Sequence, residues 1–200
     1  MTSWKRGRRR TTNELTGRTA GISISAWLQR QCWLVLETQR LILRPFRDSD
    51  IEAAHAWFSD PAVFRFYTYG PYYSIEHTAV RIGEYRRQLQ DHRFGTFIVI
   101  EKSTEHAIGD AGLKLDEKTG EVHVGYKIAR SHWGKGLATE AAQAWVSHGF
   151  DNLGLTLITA FIHPQNIASI RVVEKLQFSF SESRPEAGIN WSIYQAHSLR

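Results

Sequence analysis

The sequence predicts an α/β domain with one mixed sheet: an antiparallel meander followed by a single βαβ crossover. Three observations carry this. Three alternating segments, 94–101, 107–115 and 121–129, follow one another through short turns, the connection expected of antiparallel neighbours. The third runs straight into Ser131-His-Trp-Gly134-Lys-Gly136-Leu-Ala138-Thr-Glu140-Ala141, where the apolar period changes from that of a strand to that of a helix. That helix closes near Gly154 and leads to another alternating run, Thr156 to Ile162. Ala129 to Thr156 is thus strand–helix–strand, expected to be parallel and right-handed.

The remaining elements follow in order. Residues 1–33 read as a basic, mobile tail and 34–200 as the domain. Leu41-Ile-Leu43-Arg-Pro45-Phe46 reads as a strand that Pro45 closes. Ser49-Asp-Ile-Glu52 has the form of a capping box and predicts a helix through Phe58, stopped by Asp60-Pro61. Residues 60–73 form a loop dense in aromatics (Phe64, Phe66, Tyr67, Tyr69, Tyr72, Tyr73) that either walls a pocket or covers the core. Ser74 caps a second helix over 75–91, with Val80, Ile82, Tyr85 and Leu89 at helical spacing. On the strand 121–129, Val122, Val124, Tyr126 and Ile128 share one face. Glu121, His123, Gly125 and Lys127 share the other. The helix from Leu137 carries a stripe of Leu137, Ala141, Trp145, Val146 and Gly149. A last helix begins near Asn166, with Ile167, Ile170, Val173 and Leu176. Phe178-Ser-Phe180 and Trp191 to Leu199 supply two closing strands.

Composition narrows the function. Of 25 basic residues seven lie in the first 35 positions, with one of the 20 acids. The remainder carries 18 basic and 19 acidic residues, so no basic domain face for nucleic acid is expected. One cysteine, Cys32, rules out a disulfide within the chain and fits a reducing, cytoplasmic setting. Nine histidines include no His-Glu-x-x-His pair, so no metal is expected. The apolar run 22–36 is broken by Gln29-Arg30-Gln31 and is too short to span a bilayer, so no membrane partner is expected. The acid-poor start also fits an organelle transit peptide or a translation start placed too early.

The glycine pair at the strand-to-helix junction is the chief candidate site. Glycine accepts φ > 0 at little cost, so the turn can aim several N–H groups at one point beside the positive end of the helix dipole. Such a turn is either an anion cradle or an ordinary junction. Thr139 stands where a dinucleotide fingerprint needs its third glycine, and no Walker A loop is present.

Three blocks together decide more than each alone: Val124-Gly-Tyr-Lys-Ile-Ala, Trp133-Gly-Lys-Gly-Leu-Ala-Thr-Glu-Ala141 and Asn166-Ile-Ala-Ser169-Ile-Arg-Val-Val-Glu174-Lys-Leu176. In this order and spacing the chain resembles the GNAT superfamily of N-acetyltransferases over residues 36–200. Glu37-Thr-Gln-Arg-Leu-Ile-Leu-Arg-Pro45 and Asp60-Pro61 are similar to its Rim-type branch, which acetylates N-termini of ribosomal proteins. The resemblance implies a GNAT-like fold in which acetyl-coenzyme A lies in a splay between two central parallel strands. It implies that the backbone at Tyr126, Lys127 and Ile128 pairs with the pantetheine arm. The backbone N–H groups of His132, Trp133, Gly134, Lys135, Gly136 and Leu137, with Ala138 beside them, would hold the pyrophosphate. Asn166 would hydrogen-bond the pantetheine and Ser169 would face the thioester sulfur. Three positions depart from the pattern: Ser131 replaces a Gln or Arg, Val173 replaces a Tyr that donates to the leaving thiolate, and Gln177 replaces a Gly. The second departure makes Ser169 the expected proton donor.

The implied chemistry is direct attack of a primary amine, which needs positioning, backbone N–H groups for the developing oxyanion, and a base for the ammonium proton. His123 is the better candidate base, since its ordinary pKa lies near neutrality, and Glu121 is the second. The other reading of His123 is a solvent-facing strand residue. By analogy with the branch the expected acceptor is a peptide or protein N-terminus, with a small amine (antibiotic, polyamine or amino acid) or a non-catalytic coenzyme A sensor as alternatives. A homodimer is left open.

Overall fold

A side-chain period of two puts every second residue on one face of a sheet, and the alternating runs are the strands. The computed structural model describes residues 34–198, so the basic tail 1–33 lies outside the described residues. Its strands are β1 (Leu36–Glu37), β2 (Leu41–Arg44), β3 (Thr96–Glu101), β4 (Ala107–Leu115), β5 (Val122–Ile128), β6 (Leu157–Ile162), β7 (Ser179–Glu186) and β8 (Ile189–His197). They form one sheet in the order β1-β2-β3-β4-β5-β6-β8-β7. β5 and β6 are parallel and every other pair is antiparallel. The helices are α1 (Ile51–Phe58), α2 (Pro61–Phe64), α3 (Ile75–His92), α4 (Leu137–Asp151) and α5 (Ile167–Lys175).

The sheet separates two cores. On one face α4 and α5 cover Leu43, Phe97, Leu113, Val124 and Ile158, with Trp145 fully buried against them. The small residues of α4 let it lie close. A Cβ on Gly149 would stand 2.8 Å from Ile158 Cδ1, so this contact admits no larger side chain without repacking. On the other face α1, α2 and α3 bury Phe46, Trp57, Phe58, Phe64, Ile82 and Tyr85 over Ile98. This second layer covers the β2–β4 side of the sheet. β7 has one half-buried residue in eight, because no helix lies over that edge.

Four local expectations are corrected. Ser49 and Glu52 make no capping box. A short 3₁₀ turn, Asp48–Asp50, precedes α1, and the Asp50 carboxylate accepts the Arg47 N–H (2.7 Å) and a two-point bond from Arg44 (2.7 and 2.8 Å). Val80 points outward with 61 % exposure, while Ile82 and Tyr85 carry the buried stripe with Thr78, and Leu89 packs half-buried against the core under α4 and α5. Residues 60–73 hold the short helix α2, which Asp60 caps by accepting the Ala62 N–H (2.8 Å). Finally β7 is eight residues long. Its hairpin turn, Ala187-Gly188, has φ of +49° and +78°, the pair of signs a tight hairpin needs.

Candidate active site

β5 and β6 share one register pair, His123↔Thr159, and then part. The parting follows from their outer partners: β4 holds β5 along seven registered residues and β8 holds β6 along six, so neither strand can bend to close the gap. Backbone groups alternate sides along a strand. The Ala129 N–H donates to Ile108 O on β4 (2.8 Å), so Lys127, two residues earlier, also faces β4. The backbone at Tyr126 and Ile128 faces the gap. The expectation that Lys127 offers backbone to a ligand is therefore corrected, and Tyr126 and Ile128 keep that place. Two of the gap-side carbonyls have side-chain donors: Trp133 Nε1 donates to Ile128 O (2.6 Å) and Tyr67 Oη to Tyr126 O (3.4 Å).

The gap opens into a cavity of about 70 Å³ lined by Phe66, Tyr67, Gly125, Tyr126, Phe161, Ile162, His163, Asn166, Ser169 and Trp191. The aromatic loop thus does both things expected of it. Phe64 and Tyr72 pack into the core, while Phe66 and Tyr67 wall the gap. Asn166 and Ser169 meet here because both stand at the start of α5. Asn166 Oδ1 accepts the Ser169 N–H (3.2 Å) as the helix cap, which leaves its NH₂ as a donor. Tyr126 Oη donates to Ser169 O (3.1 Å), tying β5 to α5 across the gap. Burial raises the Tyr126 phenol well above its ordinary value, so it stays a neutral donor.

The glycine turn has the shape its sequence implied. Gly134 and Gly136 take φ of +75° and +77°, and α4 begins directly after them. The first α4 bond runs from the Glu140 N–H to Gly136 O (3.1 Å), so the amides of Leu137 and Ala138 precede the helix ladder. Two expected donors are corrected. The His132 N–H is engaged with Ala129 O (2.9 Å) and the Trp133 N–H with Arg130 O (3.2 Å), because residues 130–132 form a 3₁₀ turn.

His123 lies at the closed end of the splay, two residues from Gly125 on the same face. Its Nδ1 meets Thr159 Oγ1, and that hydroxyl donates to Val122 O (3.2 Å). The network assigns the Nδ1 proton to the bond with Thr159 and leaves Nε2 as the open position, 3.9 Å from Asp116 Oδ2. The ring stands edge-on to Phe161 at 4.6 Å. Burial lowers its pKa below the ordinary histidine value, against the pull of Glu121 and Asp116. Glu121 is in a different position. Both its oxygens accept from Arg184 (2.7 and 3.1 Å), and that pairing holds its carboxyl below the usual range. As a base Glu121 is therefore corrected: it is a brace, occupied and weakly basic.

Lys127, placed by periodicity on the polar face, is buried. Its Nζ lies 2.7 Å from Asp110 Oδ1 and 3.2 Å from Tyr85 Oη, over the rings of Phe58, Tyr67 and Tyr85. Burial opposes its charge, but Asp110 more than offsets this and raises its pKa well above the ordinary value. Trp57 Nε1 donates to the other Asp110 oxygen (2.8 Å). Sequence reasoning missed Asp110, Phe161, Arg184 and Trp191, which sit far apart in the chain and carry no local motif. Among the described residues no group of three metal-ligating side chains occurs, and no helix is long and apolar enough to cross a membrane.

Comparison with known proteins places this architecture. The model of the acetyltransferase (GNAT) domain matches residues 40–179. The N-acetyltransferase p20 of Bacillus licheniformis is 32 % identical over 72 % of this chain and 81 % of its own. N-acetyltransferase YoaA of Bacillus subtilis is 37 % identical over 72 % and 82 %. Among solved structures, RimL, a ribosomal L7/L12 α-N-protein acetyltransferase in complex with coenzyme A, superposes with a TM-score of 0.72 at 17 % identity, over 82 % of this chain and 98 % of that one. A mixed eight-stranded sheet parted between β5 and β6, a two-glycine turn at the head of α4 and this family match lead to one conclusion: the chain belongs to the GNAT family and is an acetyl-transferring enzyme, of a family that uses acetyl-coenzyme A.

Proposed function

We propose that the chain transfers acetyl from acetyl-coenzyme A to the α-amine of a peptide or protein N-terminus, in the manner of the Rim-type branch. The parted β5 edge carries this reading. A strand edge with no neighbouring strand for its backbone at Tyr126 and Ile128 fits an extended amide-bearing arm such as pantetheine. The amides of Gly134, Lys135, Gly136, Leu137 and Ala138 suit its pyrophosphate. The Asn166 NH₂ suits the arm, and the Ser169 hydroxyl, at the same end of the gap, is the donor for the leaving sulfur. The bound cofactor supplies an activated acetyl thioester. The protein holds the amine against it, excludes water with Phe66, Tyr67 and Phe161, and takes the ammonium proton at His123 Nε2. Phe161, a wall of the gap, packs edge-on against that ring, and the proton reaches Nε2 through solvent at the rim.

The cavity favours a peptide acceptor. It is about 70 Å³, open to the surface and walled by Phe66, Phe161, His163 and Trp191, a shape that suits a chain entering by its end. The RimL neighbour, named for a protein N-terminus, supports the same choice. The test is acetyl-coenzyme A consumption against a peptide library and a panel of polyamines, aminoglycosides and amino acids. Turnover with peptides is expected. Turnover confined to small amines would overturn the acceptor, and coenzyme A binding with no turnover would favour a sensor.

Asn166 allows a finer check. Asn166→Ala is expected to cost about 1 kcal/mol of stability through the lost cap, whereas Asn166→Asp keeps the capping oxygen. Both variants should lose coenzyme A affinity if the NH₂ holds the arm. Retention of affinity in Asn166→Asp would remove Asn166 from the cofactor site.

A further inference from the structure

Two groups beside the glycine turn are wrong for an anion. Glu140 sits in the first turn of α4, and Lys135 O is a carbonyl dipole within the loop itself. One side chain answers both. Arg40, from the β1–β2 turn, donates through Nε to Glu140 Oε2 (2.6 Å) and through Nη1 to Lys135 O (3.0 Å). Its own N–H donates to Glu140 Oε1 (2.8 Å), and Thr38 Oγ1 donates to the same oxygen (2.5 Å). The turn is tied in turn to β3 by Lys102, whose Nζ donates to Thr38 O (2.8 Å). The remaining guanidinium nitrogen, Nη2, lies 3.7 Å from where a Cβ on Gly136 would stand.

We propose that Arg40, clamped by Glu140, is part of the diphosphate cradle. It braces the Gly134–Gly136 loop and sets a permanent cation beside the Gly136 amide. The inference rests on the reading that this loop holds the coenzyme A diphosphate. Its logic is electrostatic. A carboxylate in the first helical turn favours the helix but repels a diphosphate bound at the same end. A guanidinium bonded to that carboxylate cancels the repulsion. Its planar fork can bond Glu140 and Lys135 O while a third nitrogen faces the loop. A lysine, one charge on a flexible stem, cannot serve these points together.

Arg40→Gln tests it, with calorimetric titration of coenzyme A into the full chain at 50 and 300 mM NaCl. Wild type is expected to bind, and the variant to bind about tenfold more weakly at low salt. The gap should narrow at high salt, since a partly exposed charge is screened. Binding of pantetheine, which lacks the diphosphate, followed by NMR titration, should be unchanged. Equal coenzyme A affinity in wild type and variant would overturn the inference. So would an equal loss at both salts accompanied by a loss for pantetheine, which marks a fold brace only. Absence of heat from the wild type itself would instead bring down the cofactor reading on which the inference stands.

Discussion

Asp110→Ala is expected to lower stability by about 3–5 kcal/mol, the cost of leaving one partner of a buried ion pair alone. Asp110 is 1 % exposed and Lys127 8 %. Without the carboxylate, the ammonium keeps Tyr85 Oη and the faces of three aromatic rings, which do not balance a full charge. Trp57 Nε1 loses its acceptor at the same time. The same change should loosen the aromatic wall of the gap, because Tyr67 packs over the Lys127 head. Replacing both partners with apolar residues, Asp110→Leu with Lys127→Met, should recover most of the loss, since no charge is then stranded. Urea unfolding of the single and the double variant beside wild type measures this. A loss below about 1 kcal/mol in the single variant, with an unchanged m-value, would show that the pair is not the brace described.

His123→Gln is expected to lower kcat by about a hundredfold or more with the best peptide of the panel, while leaving coenzyme A affinity intact. The base must be neutral to accept the ammonium proton. Burial lowers the His123 pKa, so the acid limb of the rate profile should lie below the ordinary histidine value of 6.5. The linkage has the same sign in stability. A histidine with a folded pKa below its unfolded one binds fewer protons when folded, so its contribution falls as pH drops through that window. Glu121, Asp116, Lys114 and Arg184 all act on the ring, the first two favouring its charged form and the last two its neutral form. Removing Arg184 should therefore raise the apparent pKa while freeing Glu121. An unchanged acid limb in His123→Gln would assign the proton transfer elsewhere.

Much of the fold was legible because local periodicity and turn chemistry agree with it. The meander, the crossover, the Ser74 cap and the small-faced α4 each follow from residues close in sequence. The glycine turn was legible for the same reason, since both positive φ angles fall on glycines. The β7–β8 turn was not, because Ala187 takes a positive φ that its side chain does not advertise. Ser49 misled for a related reason. Its capping-box spacing is real, but Arg44 recruits Asp50 instead, and no local rule sees a partner six residues back.

By itself the sequence determined the meander, the crossover with its helix, and the two-glycine turn, all features set by residues within a few positions of each other; the roles of Asn166 and Ser169 came with the family resemblance. Tertiary structure alone decided the charges. Periodicity put Lys127 on a polar face, but the second helix layer buried it against Asp110. Glu121 read as a base until Arg184, 63 residues away, took both its oxygens. Arg40 was only one residue of the Glu37–Pro45 block until Glu140 drew it to the glycine loop, 100 residues distant. Ionisation and anion binding depend on what stands within a few ångströms in space, and a sheet assembles that company from segments that the linear order keeps apart.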